Sequence, residues 1–428
     1  MSRSLVSWVS LALLLGACGS EESSKPAPPA ARSAASPSDP AEPDAYDTGI
    51  VLSLAQFVNQ EGKSVPGPAR LEFLYREGGQ WKTTAIEDEE SNVFHKAMLY
   101  EGSAGPLLLT LSGTAAHVKT WTPEGGTLRP NSEWTQDFGG KWSRMRDAEV
   151  ADLYGDGKAS IAVATHDQGI VVVLRPQPGG GFEVIQIDEK PNTFVHEIEI
   201  GDLDGDGTLE VYATPSEPNR LDGKPQTGEV VRYVPKHGGQ RTVVADLGLR
   251  HAKEILVDDV DGDGRDELYV VVEGQVGENQ ELLEPVEIRR YDADTPADQG
   301  VVIATLDDRL CRFLTAGDID GDGKKELVAA GYRSGIWLLR PGPTPEAPWQ
   351  KQLIDADSGG FEHASLFADL DGDGTDELYV ASDKHKELRR YAWDGTKLVR
   401  STLYVRPDDR PIFTWNLMPV PVELIPGR

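Results

Sequence analysis

The sequence has little cysteine and few basic residues, and each shortage excludes a class of protein. Cys18 and Cys311 are its only cysteines in 428 residues, so a framework of several disulfides is excluded. Lysine and arginine number 42 against 71 aspartate and glutamate residues, which gives a formal net charge of −29. A surface of that sign repels phosphate backbones, and we therefore expect no nucleic-acid partner.

Helical periodicity and compact catalytic motifs are also missing. Apolar residues fall into short β-rich runs, which predicts an all-β protein. No Gly-x-Ser-x-Gly motif and no phosphate-binding glycine-rich loop occurs, and His196-Glu197 is followed by Ile200 where a zinc-protease motif needs histidine. The sequence therefore names no catalytic residue, although an active site assembled from distant segments stays open.

The N-terminus has the pattern of an export signal. Arg3 precedes an apolar run over residues 5–17, which is too short to span a bilayer. The run ends in Leu-Gly-Ala-Cys at Cys18, which resembles the lipobox of bacterial lipoproteins. That resemblance implies a signal peptide over residues 1–17 and acyl chains on Cys18 that anchor the protein to a membrane. An ordinary secretory signal with a chance cysteine is the alternative.

The segment after Cys18 is expected to be a tether. Residues 18–47 are rich in Pro, Ala, Ser and Glu and cannot bury a core, which predicts a disordered spacer. Gly19 follows the cysteine, and aspartate there would suggest retention in the inner membrane of many Gram-negative bacteria. We therefore expect a lipoprotein of the bacterial cell envelope, at the outer membrane, facing the periplasm or the cell surface. Residues 48–69 are interpreted as a lead-in segment.

The rest of the chain carries a repeat. An Asp-x-Asp-Gly-Asp-Gly-x-x-Glu loop begins at Asp202, Asp259, Asp318 and Asp369, with a degenerate copy at Asp152, at intervals of 50 to 59 residues. Each loop lies between short strand-like runs, so that one unit contains four strands. Units of this length and composition predict the blades of a β-propeller over residues 70–424.

The blade count follows from partial copies at the two ends. Residues 95–122 keep the strand pattern without the acidic loop, which makes six whole blades with the five loop-bearing units. Residues 71–84 match the last two strands of a unit, and residues 411–415 and 421–424 match the first two. We therefore expect a composite blade that closes a seven-bladed ring and removes exposed sheet edges. Six or eight blades are the alternatives.

The four intact loops predict calcium sites. Carboxylates at positions 1, 3 and 5 can turn towards one cation because glycines at positions 4 and 6 permit a sharp bend, and the carbonyl of position 7 and the carboxylate of position 9 complete an oxygen cage. Oxygen ligands without His or Cys favour calcium over zinc or copper. We expect about four ions. The predicted ligands are Asp202, Asp204, Asp206, Thr208 and Glu210; Asp259, Asp261, Asp263, Arg265 and Glu267; Asp318, Asp320, Asp322, Lys324 and Glu326; and Asp369, Asp371, Asp373, Thr375 and Glu377.

Position 12 distinguishes these loops from an EF-hand. An EF-hand needs glutamate there, whereas the four loops have apolar strand residues at that position, namely Ala213, Val270, Ala329 and Val380. The pattern resembles the FG-GAP/VCBS repeats of integrin α-chain propellers and of many bacterial surface proteins, over about residues 70–424. In the degenerate loop Tyr154 and Ser160 replace an aspartate and the glutamate. Asp152 and Asp156 are therefore expected to bind an ion weakly or not at all.

A second regularity precedes the loops. Six residues before each first aspartate lies a cationic or imidazole side chain, and aromatic residues are close by. In a four-stranded meander these positions lie on the face opposite the acidic loops, around the mouth of the central channel. They suggest a pocket for an anionic or sugar-like ligand, and the alternative is that they join neighbouring blades. The residues, including the one from the loopless blade, are His95, Arg146, His196, Lys253, Arg312 and His363.

The function expected from these features is binding. We interpret the chain as a calcium-stabilised, membrane-anchored propeller lipoprotein that recognises a protein or a glycan without catalysis. The alternative is a polysaccharide lyase or hydrolase that acts on acidic glycans at the channel mouth, since some calcium-loop propellers are lyases. A scaffold in an envelope complex is a third possibility. Fold alone does not decide between them.

Overall fold

A computed structural model describes residues 44–428, apart from residues 103–104, 114–115, 139–142, 167, 216–221, 345–346 and 408–410. The expected signal peptide, Cys18 and most of the expected tether lie outside the described residues. Strands dominate the described part of the chain, which contains two short 3-10 helices, Pro235–His237 and Val422–Leu424. No helix in this part is long and apolar enough to cross a membrane.

The strands follow one another in a regular succession. In chain order they are β1 (Thr48–Gln60), β2 (Lys63–Pro66), β3 (Ala69–Glu77), β4 (Gln80–Asp88), β5 (Phe94–Gly102), β6 (Gly105–Ser112), β7 (His117–Glu124), β8 (Thr127–Thr135), β9 (Met145–Ala151), β10 (Ser160–Thr165), β11 (Ile170–Pro176), β12 (Phe182–Glu189), β13 (Val195–Gly201), β14 (Glu210–Pro215), β15 (Gly228–Tyr233), β16 (Thr242–Gly248), β17 (Ala252–Asp258), β18 (Glu267–Val272), β19 (Gln275–Val276), β20 (Leu282–Glu284), β21 (Val286–Tyr291), β22 (Val301–Leu306), β23 (Cys311–Gly317), β24 (Glu326–Gly331), β25 (Ile336–Arg340), β26 (Gln350–Asp355), β27 (Ser365–Ala368), β28 (Glu377–Ser382), β29 (Glu387–Trp393), β30 (Leu398–Val405) and β31 (Ile412–Pro421).

These strands form a seven-bladed β-propeller of four-stranded antiparallel blades, as the sequence predicts. Blades 1 to 6 are β5–β8, β9–β12, β13–β16, β17-β18-β21-β22, β23–β26 and β27–β30, and each is an antiparallel meander of one continuous stretch. The first strand of each blade contacts the first strand of the next, which closes the ring around a central channel. The hairpin β19–β20 is an insertion between the second and third strands of blade 4.

The closing blade is composite, but its strands are divided differently from the expectation. Its order is β31-β1-β3-β4, so the C-terminus supplies one strand and the N-terminal region supplies three. Residues 421–424 were expected to be the second strand and instead end β31 and form a 3-10 helix. That place is taken by β1, which pairs with β31 from Thr48 to Gln56 and lies in the segment interpreted as a lead-in. Proline at 419, 421 and 426 leaves this C-terminal stretch short of ladder donors.

The core lies between blades. The second strands β10, β14, β18, β24 and β28 are buried along their whole length, because a neighbouring blade covers each face. After a polar first residue, their sequences are therefore mostly apolar and do not alternate between polar and apolar residues. Each hydrophobic cluster joins two adjacent blades, and one of them packs the closing blade against blade 1 through Val51, Phe73, Phe94 and Val420. Packing across the blade interfaces thus holds the ring closed.

Successive connections in each blade alternate between the two ends of the ring, so the two ends carry different kinds of loop. The acidic loops connect first to second strands and share one end, which we call the loop face. The connections between blades and those between second and third strands share the opposite end, which we call the mouth face. The predicted cationic side chains lie at or next to the start of first strands, and therefore belong to the mouth face.

Candidate functional site

The acidic loops share one backbone conformation. In blade 3 the first carboxylate, Asp202, accepts the N–H groups of Asp206 at 3.1 Å and Gly207 at 2.7 Å. The loops at Asp259, Asp318 and Asp369 repeat both hydrogen bonds. Gly205 and Gly207 have φ of 68° and 81°, a region that side chains other than glycine rarely adopt. The glycines at positions 4 and 6 therefore permit the turn that gathers the carboxylates.

The gathered carboxylates are arranged to hold a cation. Ligand oxygens of Asp259, Asp261, Asp263 and Glu267 lie within 4.8 Å of one another. The other three loops bring together three such groups each: Asp202, Asp204 and Asp206; Asp318, Asp320 and Glu326; and Asp369, Asp371 and Asp373. The buried Oδ1 of Asp320 has no hydrogen-bond partner, which leaves it open to a metal. A hard oxygen set of this kind fits Ca²⁺.

The glutamate at position 9 is buried beneath its loop. Glu267 accepts the N–H of Val260 at 3.2 Å and the hydroxyl of Tyr269 at 2.9 Å. Burial raises the pKa of the Glu267 carboxyl to about 7, and it does the same for Glu326 and Glu377. Glu210 and Glu377 also contact a tyrosine hydroxyl and an arginine. The position-7 residues Thr208, Arg265, Lys324 and Thr375 each donate their N–H to the aspartate at position 5.

The degenerate loop of blade 2 keeps the turn but lacks the carboxylates of positions 3 and 9. Asp152 accepts the N–H groups of Asp156 and Gly157, as in the intact loops. Arg175 donates to Asp156 at 2.8 Å, and its guanidinium lies 4.2 Å from the ring centre of Tyr154. This loop is absent from the clusters that could hold a metal among the described residues.

Five of the six predicted cationic side chains are buried at the mouth face and contact neighbouring blades, and the side chain of Lys253 is half-buried. His95 donates through Nδ1 to the Met145 carbonyl at 2.6 Å, and His196 donates through Nδ1 to the Lys253 carbonyl at 3.0 Å. Arg146 donates to Nε2 of His196 at 3.1 Å. These contacts join blade 1 to blade 2, blade 2 to blade 3, and blade 3 to blade 4, which is the alternative that the sequence left open.

The remaining members of the ring also have protein partners. His363 donates through Nδ1 to the Gly331 carbonyl at 2.8 Å and accepts the Ser358 hydroxyl at Nε2. Arg312 donates to Glu362 at 2.9 Å, and Arg146 lies 3.8 Å from the same carboxylate. Blades 2 and 6 are not neighbours, so Glu362 bridges across the channel mouth. Ligand binding by these side chains stays a prediction.

The histidines of the ring are neutral in this setting. Burial, with the positive charge of Arg146, holds the pKa of His95 and His196 well below the usual range. Burial lowers the pKa of His363 to about 4. Their hydrogen bonds agree, since His196 and His363 each donate through one nitrogen and accept through the other. These imidazoles therefore contribute no positive charge near pH 7, and the arginines supply it.

The sequence reasoning missed an acidic lining below the mouth. Lys96 of blade 1 lies 3.1 Å from Asp147 and also pairs with Glu149 of blade 2. Burial first, and then the neighbouring carboxylates Asp147 and Glu149, raise the pKa of Glu197 and Glu199 well above the usual range. The sequence does contain a pattern that indicates this acidic lining, because Asp147, Glu197 and Glu254 each directly follow a member of the predicted ring. The channel itself is unfavourable for an anion.

A strip of aromatic side chains also lies on the mouth face. The sequence indicated only one of them, Phe361, which is among the aromatic residues close to the predicted ring and lies two residues before His363. The ring centres of the strip are separated by 6.5 Å from Tyr332 to Phe361, by 6.2 Å from Phe361 to Phe413, and by 5.8 Å from Phe413 to Phe57. All four rings are half-buried. They come from blades 5 and 6 and the closing blade, and no local pattern connects them. We call these four residues the aromatic strip.

Arginines lie over the strip. The guanidinium of Arg309 is 4.9 Å from the Tyr332 ring centre, that of Arg333 is 5.0 Å from it, and that of Arg312 is 4.2 Å from Phe361. Arg312 is paired with Glu362, but Arg309 and Arg333 form no ion pair within the part of the chain that the structure describes, and Nε of Arg309 has no hydrogen-bond partner. Two unpaired cations beside one tyrosine are unusual on a chain of net charge −29.

Comparison with known proteins supports the repeat and the fold. The model of the FG-GAP-like repeat matches residues 259–329 and 318–380. A curated relative, the rhamnogalacturonan exolyase YesX of Bacillus subtilis (strain 168), is 25% identical over 268 residues. The match covers 52% of this chain and 43% of the relative, so this chain spans less than half of the relative's length.

Solved structures with the same architecture share little sequence. A lectin of Agrocybe aegerita that recognises non-reducing terminal N-acetylglucosamine has 15% identity and a TM-score of 0.51, covering 85% of this chain and 91% of its own. A proposed 6-phosphogluconolactonase of Bacteroides uniformis has 12% identity and a TM-score of 0.53, covering 88% and 100%. At these identities the likeness shows the fold alone. The chain is a seven-bladed β-propeller that contains FG-GAP-like repeats over residues 259–380.

Proposed function

We propose that this protein is a calcium-stabilised, non-catalytic binding module that recognises an acidic glycan on the aromatic strip. The observation that carries the proposal is Tyr332 with Arg309 and Arg333 beside it. Half-buried aromatic rings offer flat faces to the apolar side of a sugar ring, and unpaired guanidinium groups offer forked donors to a carboxylate. The acidic channel favours a ligand that lies across the mouth face over one that enters the channel.

The test is binding to a polymer of stated charge. We expect the calcium-loaded protein to bind polygalacturonate and to ignore a neutral galactan in isothermal titration calorimetry. Tyr332→Ala and the double variant Arg309→Gln/Arg333→Gln should each weaken binding about tenfold or more, since each removes about 1.4 kcal/mol or more. The control is Arg129→Gln, which removes an exposed arginine paired with Glu124 on blade 1. Equal binding by all variants would refute the assignment of the strip.

A lyase activity on acidic glycans is the second candidate, and the relative named a rhamnogalacturonan exolyase is what favours it. The acids and histidines of the channel mouth would then supply the reacting groups. Incubation of the protein with rhamnogalacturonan and polygalacturonate should show no increase in ultraviolet absorbance from unsaturated products. A calcium-dependent increase that tracks the protein through purification would replace the binding proposal with the lyase.

We also propose that lipid on Cys18 anchors the protein at the outer membrane. The support is the lipobox-like sequence before Cys18 and the glycine after it. Mass spectrometry of the N-terminal peptide from membrane fractions should find acyl chains on Cys18, and Cys18→Ala should leave the membrane fraction. A wild-type N-terminus without lipid would contradict this anchor.

A further inference from the structure

The third strand of each loop-bearing blade supplies an arginine to its acidic loop. In blade 4, Arg290 of β21 lies 2.8 Å from Asp261 at position 3 and 3.5 Å from Glu267 at position 9. The same pair of contacts recurs in three other blades. They are Arg232 with Asp204 and Glu210, Arg340 with Asp320 and Glu326, and Arg390 with Asp371 and Glu377.

The contact is kept although the arginine comes from two different strand positions. Arg290 lies opposite Tyr269 in the β18–β21 ladder, and Arg232 and Arg390 also lie opposite a tyrosine. In blade 5 Val328 takes the place of the tyrosine and lies opposite Leu338. Arg340 is two residues after Leu338 on the third strand, which places it closer to the loop. Each guanidinium nevertheless reaches positions 3 and 9, which indicates that the loop requires a cation at this place.

The degenerate loop of blade 2 also receives an arginine from the third strand, although it lacks the carboxylates of positions 3 and 9. Arg175 also comes from the third strand, and it pairs with Asp156 while stacking on Tyr154, which replaces the position-3 aspartate. Ser160 replaces the glutamate, so one arginine neutralises the one carboxylate that it reaches. This loop is closed by the chain's own cation.

We infer that the third-strand arginines are internal counter-ions that compete with calcium for the position-3 and position-9 carboxylates. Without the metal, each arginine neutralises part of its loop and preserves the turn, because four carboxylates would otherwise repel one another. When calcium binds, the arginine has to share or release these oxygens. The arginine therefore stabilises the calcium-free protein and weakens calcium binding, and in blade 2 it replaces the ion permanently. This inference rests on calcium binding by the loops, which titration of the wild type tests separately.

Competition between the arginine and calcium predicts that removing the arginine affects the calcium-free and the calcium-bound protein differently. A purely structural contact would affect both states equally. Arg290→Gln should lower the melting temperature in excess chelator, because Glu267 and Asp261 lose a buried partner. In saturating calcium the same variant should melt close to the wild type. In calorimetric titrations one calcium site should become about tenfold tighter. Arg129→Gln removes the same charge from an exposed ion pair and controls for the change in net charge. It should change neither the melting temperature in chelator nor the calcium affinity.

Two results would overturn the inference. One is an equal loss of melting temperature with and without calcium at unchanged affinity, which would make the arginine a structural contact only. The other is weaker calcium binding by the variant. If Arg290→Gln does not fold without calcium, Arg340→Gln provides the same comparison, since its contacts of 3.1 Å and 3.7 Å are looser and its side chain is 28% exposed. Absence of calcium binding by the wild type would also refute the competition.

Discussion

Calcium removal should lower the melting temperature of this protein by an amount that the four loops set. Each ion that binds only the folded state stabilises it by about 2.7 kcal/mol when free calcium is a hundred times the dissociation constant. Four ions then contribute about 11 kcal/mol. With an unfolding entropy of about 2.1 cal/mol/K per residue, chelation should lower the melting temperature of the folded region by about 13 °C. The third-strand arginines reduce this figure by stabilising the calcium-free loops.

Two variants make the assay specific to the loops. Differential scanning calorimetry is performed in excess chelator and in a calcium series. Asp263→Asn removes a clustered ligand of blade 4, and we expect it to lose about a quarter of the calcium-induced shift. Asp156→Asn changes the same loop position in blade 2, where Arg175 occupies the carboxylate, and should leave the shift unchanged. A wild-type melting temperature that is the same with and without calcium would refute calcium binding by the loops.

Two further predictions concern the channel and the ring closure. Glu199→Gln should raise the melting temperature at pH 8, because burial and Glu149 raise the pKa of Glu199 in the folded state. The folded protein therefore holds this proton more tightly than the unfolded chain, so the gain should vanish as the pH falls below the ordinary glutamate pKa of about 4.5, where both states become protonated. Exposed Glu278→Gln is the control, and a gain that does not depend on pH contradicts the assignment. A truncated chain that ends before Ile412 lacks β31, so β1 loses its partner strand and the closing blade is incomplete. This variant should lose the near-ultraviolet circular dichroism signal of fixed tertiary packing. A cooperative melt like that of the wild type would contradict the role of β31 in closing the ring.

Local spacing made the blades and loops predictable. An acidic turn between two strands is set by residues within nine positions, so Asp202 and its equivalents could be placed from sequence alone. The closing blade could not be divided correctly, because β1 is a continuous buried run that looks the same in a lead-in and in an inner strand. Its role depends on pairing with β31, more than 350 residues away, and such non-local pairing leaves no periodic signal.

The mouth face was less predictable for a different reason. The cationic ring was found from a fixed offset, but whether its members face a ligand or a neighbouring blade depends on distances between blades. Glu362 bridges Arg312 and Arg146 across the channel, and neither contact has a sequence signature. The aromatic strip joins Tyr332 to Phe57 through segments of three blades. Side chains gathered from separate blades become visible only when the ring is closed.

The location of a bound acidic oligosaccharide tests the proposed glycan-binding site most directly. A crystal structure of the calcium-loaded protein with a galacturonate oligomer should show sugar rings along Tyr332 and Phe361, with a carboxylate between Arg309 and Arg333. Metal density should occupy the four intact loops and be absent from the loop at Asp152. Sugar density inside the channel, or no density on the mouth face at saturating ligand, would contradict the proposed binding site.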